Sequence, residues 1–420
     1  MNKKKVLILT AFFPPSTNTA ANRALSWTMY LPKKNYPIII TWDWKRSTGG
    51  VEIKKYDNYE IHYLPRKLNL YNRVLEKSLK TNNFLKKPLL FIQLLLSHIF
   101  PYFTNNEKYN HYFKNYLTKE KVDIVISSAS PFILHVLVSR QRDKYEFKHI
   151  ADYRDPWSNN KMIYKESKIF RIIQSVDSIV ERKVSKKYDF LLAPSDYLRK
   201  KICEHIRFPL EKSATMLNGF FKMSYSGFEC KKSENFQILF SGTFYPNQLI
   251  EHILNVINDK LENGSLPMAT KIIFLGARHV TALVERIQAA IVGFEKYYEI
   301  SERIPYDKSM AIQQNSDLLV MPSYVGLKGV PSSKLFDYVS SGIPILLYPS
   351  DEDVIEEILI KTKLGLICNN ADEISESLDK LVAAKFDNIA LVQPELKSIQ
   401  LYSREEQTKV LADTINKLLS

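Results

Sequence analysis

Short apolar runs alternate with helical stretches along most of this 420-residue chain, and they do so in two successive sets. In the first half, Val6–Thr10, Pro37–Thr41, Val122–Ser127, His149–Tyr153 and Phe190–Pro194 read as strands. In the second half, Phe236–Ser241, Lys271–Leu275, Asp317–Met321, Ile343–Tyr348 and Gly365–Cys368 do the same. Helical patterns such as Ile169–Ser185, Leu249–Asn263 and Met310–Asn315 lie between them. This rhythm makes parallel sheets, because a parallel neighbour is reached only by a crossover long enough to hold a helix. At this length one core is too small a container, and two domains of roughly 200 residues each are predicted. Both are α/β and doubly wound, facing each other across a cleft. Their boundary falls between Phe208 and Asn235, where Pro, Gly and Lys/Ser-rich sequence replaces periodic structure. The predicted divisions are 1–215, 216–400 and a terminal helical segment 401–420. Ligands of such sheets bind beyond the carboxyl ends of the strands, so the loops after strands are where chemistry is sought.

The net charge of +14 is unevenly spread: residues 1–120 hold 20 Lys and Arg against 7 Asp and Glu, which is +13 of it. A localised excess suits an anionic surface. Within the same region, Pro88–Phe103 runs 16 residues without a charge behind Lys86-Lys87. That is short of the ~20 residues a spanning helix needs, and Pro101 interrupts it. Phe84–Phe103 reads either as an interfacial helix or as a buried core helix. Flanking lysines and the aromatics Tyr102, Phe103, Tyr109, Tyr112, Phe113 and Tyr116 favour membrane contact through residues 84–116. No signal peptide is expected, since Met1–Lys5 leads straight into a strand. Cys203, Cys230 and Cys368 are too scattered for a metal cluster and read as reduced, structural thiols.

The segment Gly329-Val-Pro-Ser-Ser-Lys-Leu-Phe-Asp-Tyr338 carries the most chemistry. Pro331, Ser332 and Ser333 start a helix that Gly342-Ile-Pro344 ends. Lys334 and Asp337, three apart, share a face of it. A helix N-terminus offers free N–H groups and partial positive charge to an anion. Lys334 adds a point charge for phosphate, and Asp337 can accept bonds from a sugar diol. These residues resemble the GT-B glycosyltransferases, in particular the glycogen-synthase-like retaining group of the bacterial cell-surface glycan type. The resemblance implies two Rossmann-like domains and a C-terminal helix crossing back to the first. It implies that Lys334 binds the donor diphosphate, with Ser332, Ser333 and Leu335 beside it, and that Asp337 holds the ribose. Asp replaces the usual Glu there, and the group's earlier Glu falls at Gly329.

Further residues fit the same reading. After the strand Phe236–Ser241, Gly242 lets backbone approach a diphosphate and Thr243 can bond it. Arg278 is a candidate second cation or a solvated loop arginine. Pro305 and Tyr306 lie where the resemblance places the nucleobase. The acids from Asp351 to Glu357 read as a helix N-terminus. On the acceptor side, Ser16, Thr17 and Asn18, with Thr19, follow the first strand as hydroxyl and amide partners or as an N-cap, with Arg23 as the charged candidate. Ser128 lines another strand end. Asp152-Tyr-Arg-Asp-Pro-Trp157 resembles a motif of bacterial surface-glycan transferases; here Asp155 reads as the acid near the acceptor hydroxyl or sugar ring, rather than Asp152, with Arg154 orienting it. The alternative is a structural Arg154–Asp pair capping the next helix.

The resemblance implies transfer of a sugar, hexosyl or N-acetylhexosaminyl, from a nucleoside diphosphate to a hydroxyl with retained configuration. No Asp-x-Asp pattern follows a strand, so no metal and no cofactor is expected. Combined with the basic half, it points to a lipid-linked glycan acceptor and a cytoplasmic enzyme on the inner face of the membrane, with no nucleic-acid partner. A nucleotide-sugar 2-epimerase and a non-catalytic partner of another transferase are the competing readings.

Overall fold

A computed structural model describes residues 3–16, 18–66, 108–160, 168–225, 227 and 235–420. The chain divides into two compact units, Met1–Met216 with Thr408–Ser420, and Leu217–Gln407. The first holds a sheet of eight strands: β1 (Lys4–Thr10), β2 (Asn35–Asp43), β3 (Glu52–Lys55), β4 (Glu60–Pro65), β5 (Ile124–Ala129), β6 (Lys148–Tyr153), β7 (Phe190–Ala193) and β8 (Ser213–Thr215). Their order is β3-β4-β2-β1-β5-β6-β7-β8. All neighbours run parallel except the edge pair β3 and β4. Val6, Leu7, Ile8 and Leu9 are all fully buried, as a central strand covered on both faces requires. Ile8 lies level with Ile39 of β2 and Ile126 of β5.

The second unit holds β9 (Phe236–Ser241), β10 (Thr270–Leu275), β11 (Tyr298–Ile300), β12 (Leu318–Pro322), β13 (Ile345–Tyr348) and β14 (Gly365–Ile367). They run parallel in the order β11-β10-β9-β12-β13-β14. Strand order therefore reverses between β9 and β12, as it does between β1 and β5 in the first sheet. The final helix, Arg404–Leu419, leaves the second unit and returns to the first. There Leu411, Ala412 and Ile415 pack with Val6, Ile8 and Trp27.

The sequence reading misses four strands. β3 is wholly exposed, β8 and β11 have three residues each, and β4 interleaves Glu60 and His62 with its apolar positions. None offers the continuous apolar run of an inner parallel strand. The helix expected from Met310 starts at Tyr306, directly after Pro305.

Phe84–Phe103 lies outside the described residues. The aromatics just after it are corrected: Tyr109 and Phe113 of the helix Lys108–Lys119 pack with Leu7, Leu9 and Ile40 in the core. Tyr112 bonds His62 at 2.7 Å. Among the described residues, no helix is long and apolar enough to cross a membrane.

Candidate functional site

In the second unit, the chain leaves β9 and turns at Gly242, whose φ of +88° only glycine adopts without strain. The Lys334 ammonium occupies the space that a Cβ on Gly242 would fill. It donates to the Thr243 carbonyl at 3.2 Å and stands 5.1 Å from the centre of the Phe244 ring. Lys334 is the second residue of the helix Ser333–Ser341, where Ser332 is the N-cap and its side chain accepts the Lys334 N–H. The helix stops at Gly342, in the left-handed conformation. Leu335 and Phe336 are fully buried and fix its rotation. Tyr338 braces it against the end of β9, its hydroxyl accepting the Ser241 N–H at 2.9 Å.

Burial pushes the Lys334 ammonium down to about 8, and repulsion from Arg303 adds to the effect. Among the described residues no carboxylate pairs with Lys334. Burial likewise pushes the Asp337 carboxyl up to about 6, against a hydrogen bond from Tyr306 and the charge of Arg404. The Tyr306 hydroxyl donates to one Asp337 oxygen at 2.9 Å. A cation and a carboxylate on one helix face, both short of compensation, stand at the switch point where sheets of this order bind ligands.

The structure also revises the roll of candidates. Leu335 is a core residue with no exposed surface, so it supports the site through packing. Arg278 donates to the Ile300 carbonyl at 3.0 Å, and the cation that acts on Lys334 is Arg303, whose side chain lies over Gly276. In sequence Arg303 is marked only by its place two residues before Pro305. Pro305 is exposed as the N-cap of Tyr306–Gln314, and Ser333 is half-buried. Gly329, at φ +76°, has its amide bonded to the Asp353 carboxyl. Asp351 accepts the N–H groups of Ile355 and Glu356, each at 3.0 Å, and so caps the next helix. A cavity of about 340 Å³ that includes Tyr225, Pro344 and Leu391 opens at the amino ends of β12 and β13, away from this site.

In the first unit, Arg23 and Ser128 are corrected. Both are buried on Asp152, which is itself inaccessible. The Arg23 guanidinium reaches Asp152 at 2.6 Å and the Met216 carbonyl at 2.9 Å, and the Ser128 hydroxyl donates to Asp152 at 2.7 Å. Arg154 donates to the carbonyls of Ala129 and Ser130, at 3.0 and 2.6 Å, bracing the end of β5. Its neighbour Asp155 keeps accessible surface, and no hydrogen bond or ion pair ties it to the described residues. Surrounding protein raises its carboxyl, with Arg154 and Arg23 opposing. Ser16 and Asn18 form the turn before the helix Ala21–Tyr30: Ser16 accepts from Asn18 N–H, and Asn18 from Ala20 N–H. Thr17 lies outside the described residues. Sequence reasoning missed an aromatic platform at the same strand ends. Trp44 stacks on Phe12 at 4.6 Å, and the Arg66 guanidinium covers Trp44 at 3.6 Å.

No family model and no curated protein matches the chain. Solved structures match it along its whole length. A sucrose-phosphate synthase from Thermosynechococcus elongatus has a TM-score of 0.66 at 11% identity, covering 99% of each chain. A UDP-forming α,α-trehalose-phosphate synthase from Burkholderia xenovorans, in complex with glucose-6-phosphate, has 0.65 at 9%, covering 99% of this chain and 100% of that one. A glycosyltransferase from Rickettsia africae has 0.57 at 12%, covering 100% of each. At such identities the likeness establishes the architecture, and the fold is GT-B: two Rossmann-like units with a terminal helix returning to the first.

Proposed function

We propose that this protein is a retaining glycosyltransferase that moves a hexosyl or N-acetylhexosaminyl group from a nucleoside diphosphate to a glycan hydroxyl. One observation carries the reading: Lys334, without a carboxylate partner among the described residues, is held over Gly242 and Thr243 at the N-terminus of Ser333–Ser341. Backbone N–H groups, a helix terminus and a half-buried ammonium together make a diphosphate cradle. Support comes from the structural neighbours, one described by glycosyltransfer with retention in a trehalose-6-phosphate synthase.

As the bond from the sugar C1 to the diphosphate breaks, negative charge develops on the leaving group, and Lys334 stabilises it electrostatically. The acceptor oxygen bonds C1 on the same face, and its proton passes to a diphosphate oxygen. Asp337, with Tyr306 on one oxygen, offers the other to the ribose. Asp155 takes the acceptor. The acceptor is a lipid-linked glycan of a bacterial surface polysaccharide or glycoprotein, and the basic first 120 residues bring the enzyme to the cytoplasmic face of the membrane. The reaction proceeds without a metal, and EDTA leaves the rate unchanged.

A thermal-shift panel of UDP, GDP, CMP and dTDP and their sugars tests the donor site. One base raises Tm, and Lys334→Ala abolishes the rise. A panel with no shift for any nucleotide overturns the reading.

A further inference from the structure

The helix Lys168–Ser185 buries Ile173, Val180 and Val184 against its own unit and carries further apolar side chains outward. Its two acids, Asp177 and Glu181, are buried at 1% and 0% exposure, while Ile172 and Ile179 are 51% and 69% exposed. A surface helix of a globular unit ordinarily keeps its acids outside and confines its large apolar residues to the inward stripe. The outward residues form a single face. Ile172, Val176 and Ile179 follow one another at helical spacings of four and three, so they make one ridge. Arg171 and Arg182 lie along one flank of it, Lys183 continues the line of the ridge one turn beyond Ile179, and Lys186 follows past the end of the helix. All four cations are exposed, and among the described residues no carboxylate pairs with them. The Arg182 guanidinium is steadied at the edge by donating to the His205 carbonyl at 3.1 Å. The inward acids belong to the unit's own polar network: the Ser158 N–H donates to Glu181 at 3.0 Å.

We infer that this face docks on an anionic lipid surface. An apolar ridge with exposed cations along one flank and at its carboxyl end matches a bilayer interface, with the isoleucines among the acyl chains and the arginines and lysines at the headgroups. Charge complementarity excludes a second copy of the same face, since two such faces bring like charges together. The face shares no residue with 84–116 or with the donor site, so nucleotide binding and lipid docking fail independently.

The test is co-sedimentation of the full chain with phosphatidylcholine vesicles, with and without phosphatidylglycerol. Wild type pellets with the anionic vesicles and is released by salt. The double variants Ile172→Glu/Ile179→Glu and Arg182→Glu/Lys183→Glu each lose about tenfold in partitioning, while keeping the wild-type nucleotide-dependent Tm shift. Ile179→Trp, at an exposed position, reports directly: the emission of the new indole shifts to the blue with anionic vesicles only. Double variants that pellet like wild type, or an Ile179→Trp emission that does not move, overturn the docking face. So does a wild-type dimer that Ile179→Glu dissolves in sedimentation velocity without lipid, because a protein partner then covers the ridge.

Discussion

Lys334 faces opposed demands, since it must be charged to hold a diphosphate yet sits where charge is penalised. The sign follows from its depressed value. Without ligand, the penalty is fully present below about pH 8 and is relieved as pH rises from there toward the ordinary lysine range near 10.5. Asp337 runs the other way: its penalty is fully present above about pH 6 and is relieved as pH falls toward 3.8. Nucleotide affinity is therefore flat between about 6 and 8 and falls on both sides. Titration calorimetry with the preferred nucleotide reads both limbs. Lys334→Arg, which stays protonated, removes the alkaline limb and keeps the acid one; an alkaline limb that survives assigns it to another group. Lys334 and Asp337 were legible because a helix start followed by Lys and Asp three apart is a local pattern. Arg303 was not, because it acts on Lys334 only where a separate loop comes near the start of the helix Ser333–Ser341.

Elements of the first unit are tied together through one buried ion pair. Asp152, on β6, receives Arg23 from the helix Ala21–Tyr30, and Arg23 also holds the Met216 carbonyl where the unit ends. Asp152→Asn leaves a buried guanidinium uncompensated and costs about 3–5 kcal/mol, read by urea unfolding. The joint replacement Arg23→Met/Asp152→Leu recovers most of that. If the single variant unfolds like wild type, the pair contributes nothing. In sequence Arg23 reads as an acceptor-side residue and Asp152 is passed over in favour of Asp155, since polar residues after strands usually face ligand. Their partners lie 129 residues apart, and no local pattern distinguishes a charge aimed at solvent from one aimed inward. The inner strands, by contrast, were legible to within a residue or two, because continuous apolar runs have no other place to go.

At the scale of the whole molecule, the first unit is not one stretch of chain. Its core takes Leu411 and Ile415, both fully or almost fully buried, from the last helix. Leu411→Ala therefore lowers the stability of the unit holding residues 1–216, by about 2–5 kcal/mol, and leaves the unit of residues 217–407 as it was. Differential scanning calorimetry with and without nucleotide separates the two, since the ligand moves only the second transition. A Leu411→Ala variant that shifts the nucleotide-sensitive transition instead assigns the helix to the other core. The returning helix also sets an order of events during synthesis. Residues 408–420 leave the ribosome only after all of 217–407, so the first-made unit waits, with an open groove on its core, until the later one has emerged. A nascent chain stalled before residue 408 displays that groove to chaperones, and translation speed across the second half governs how long it does so.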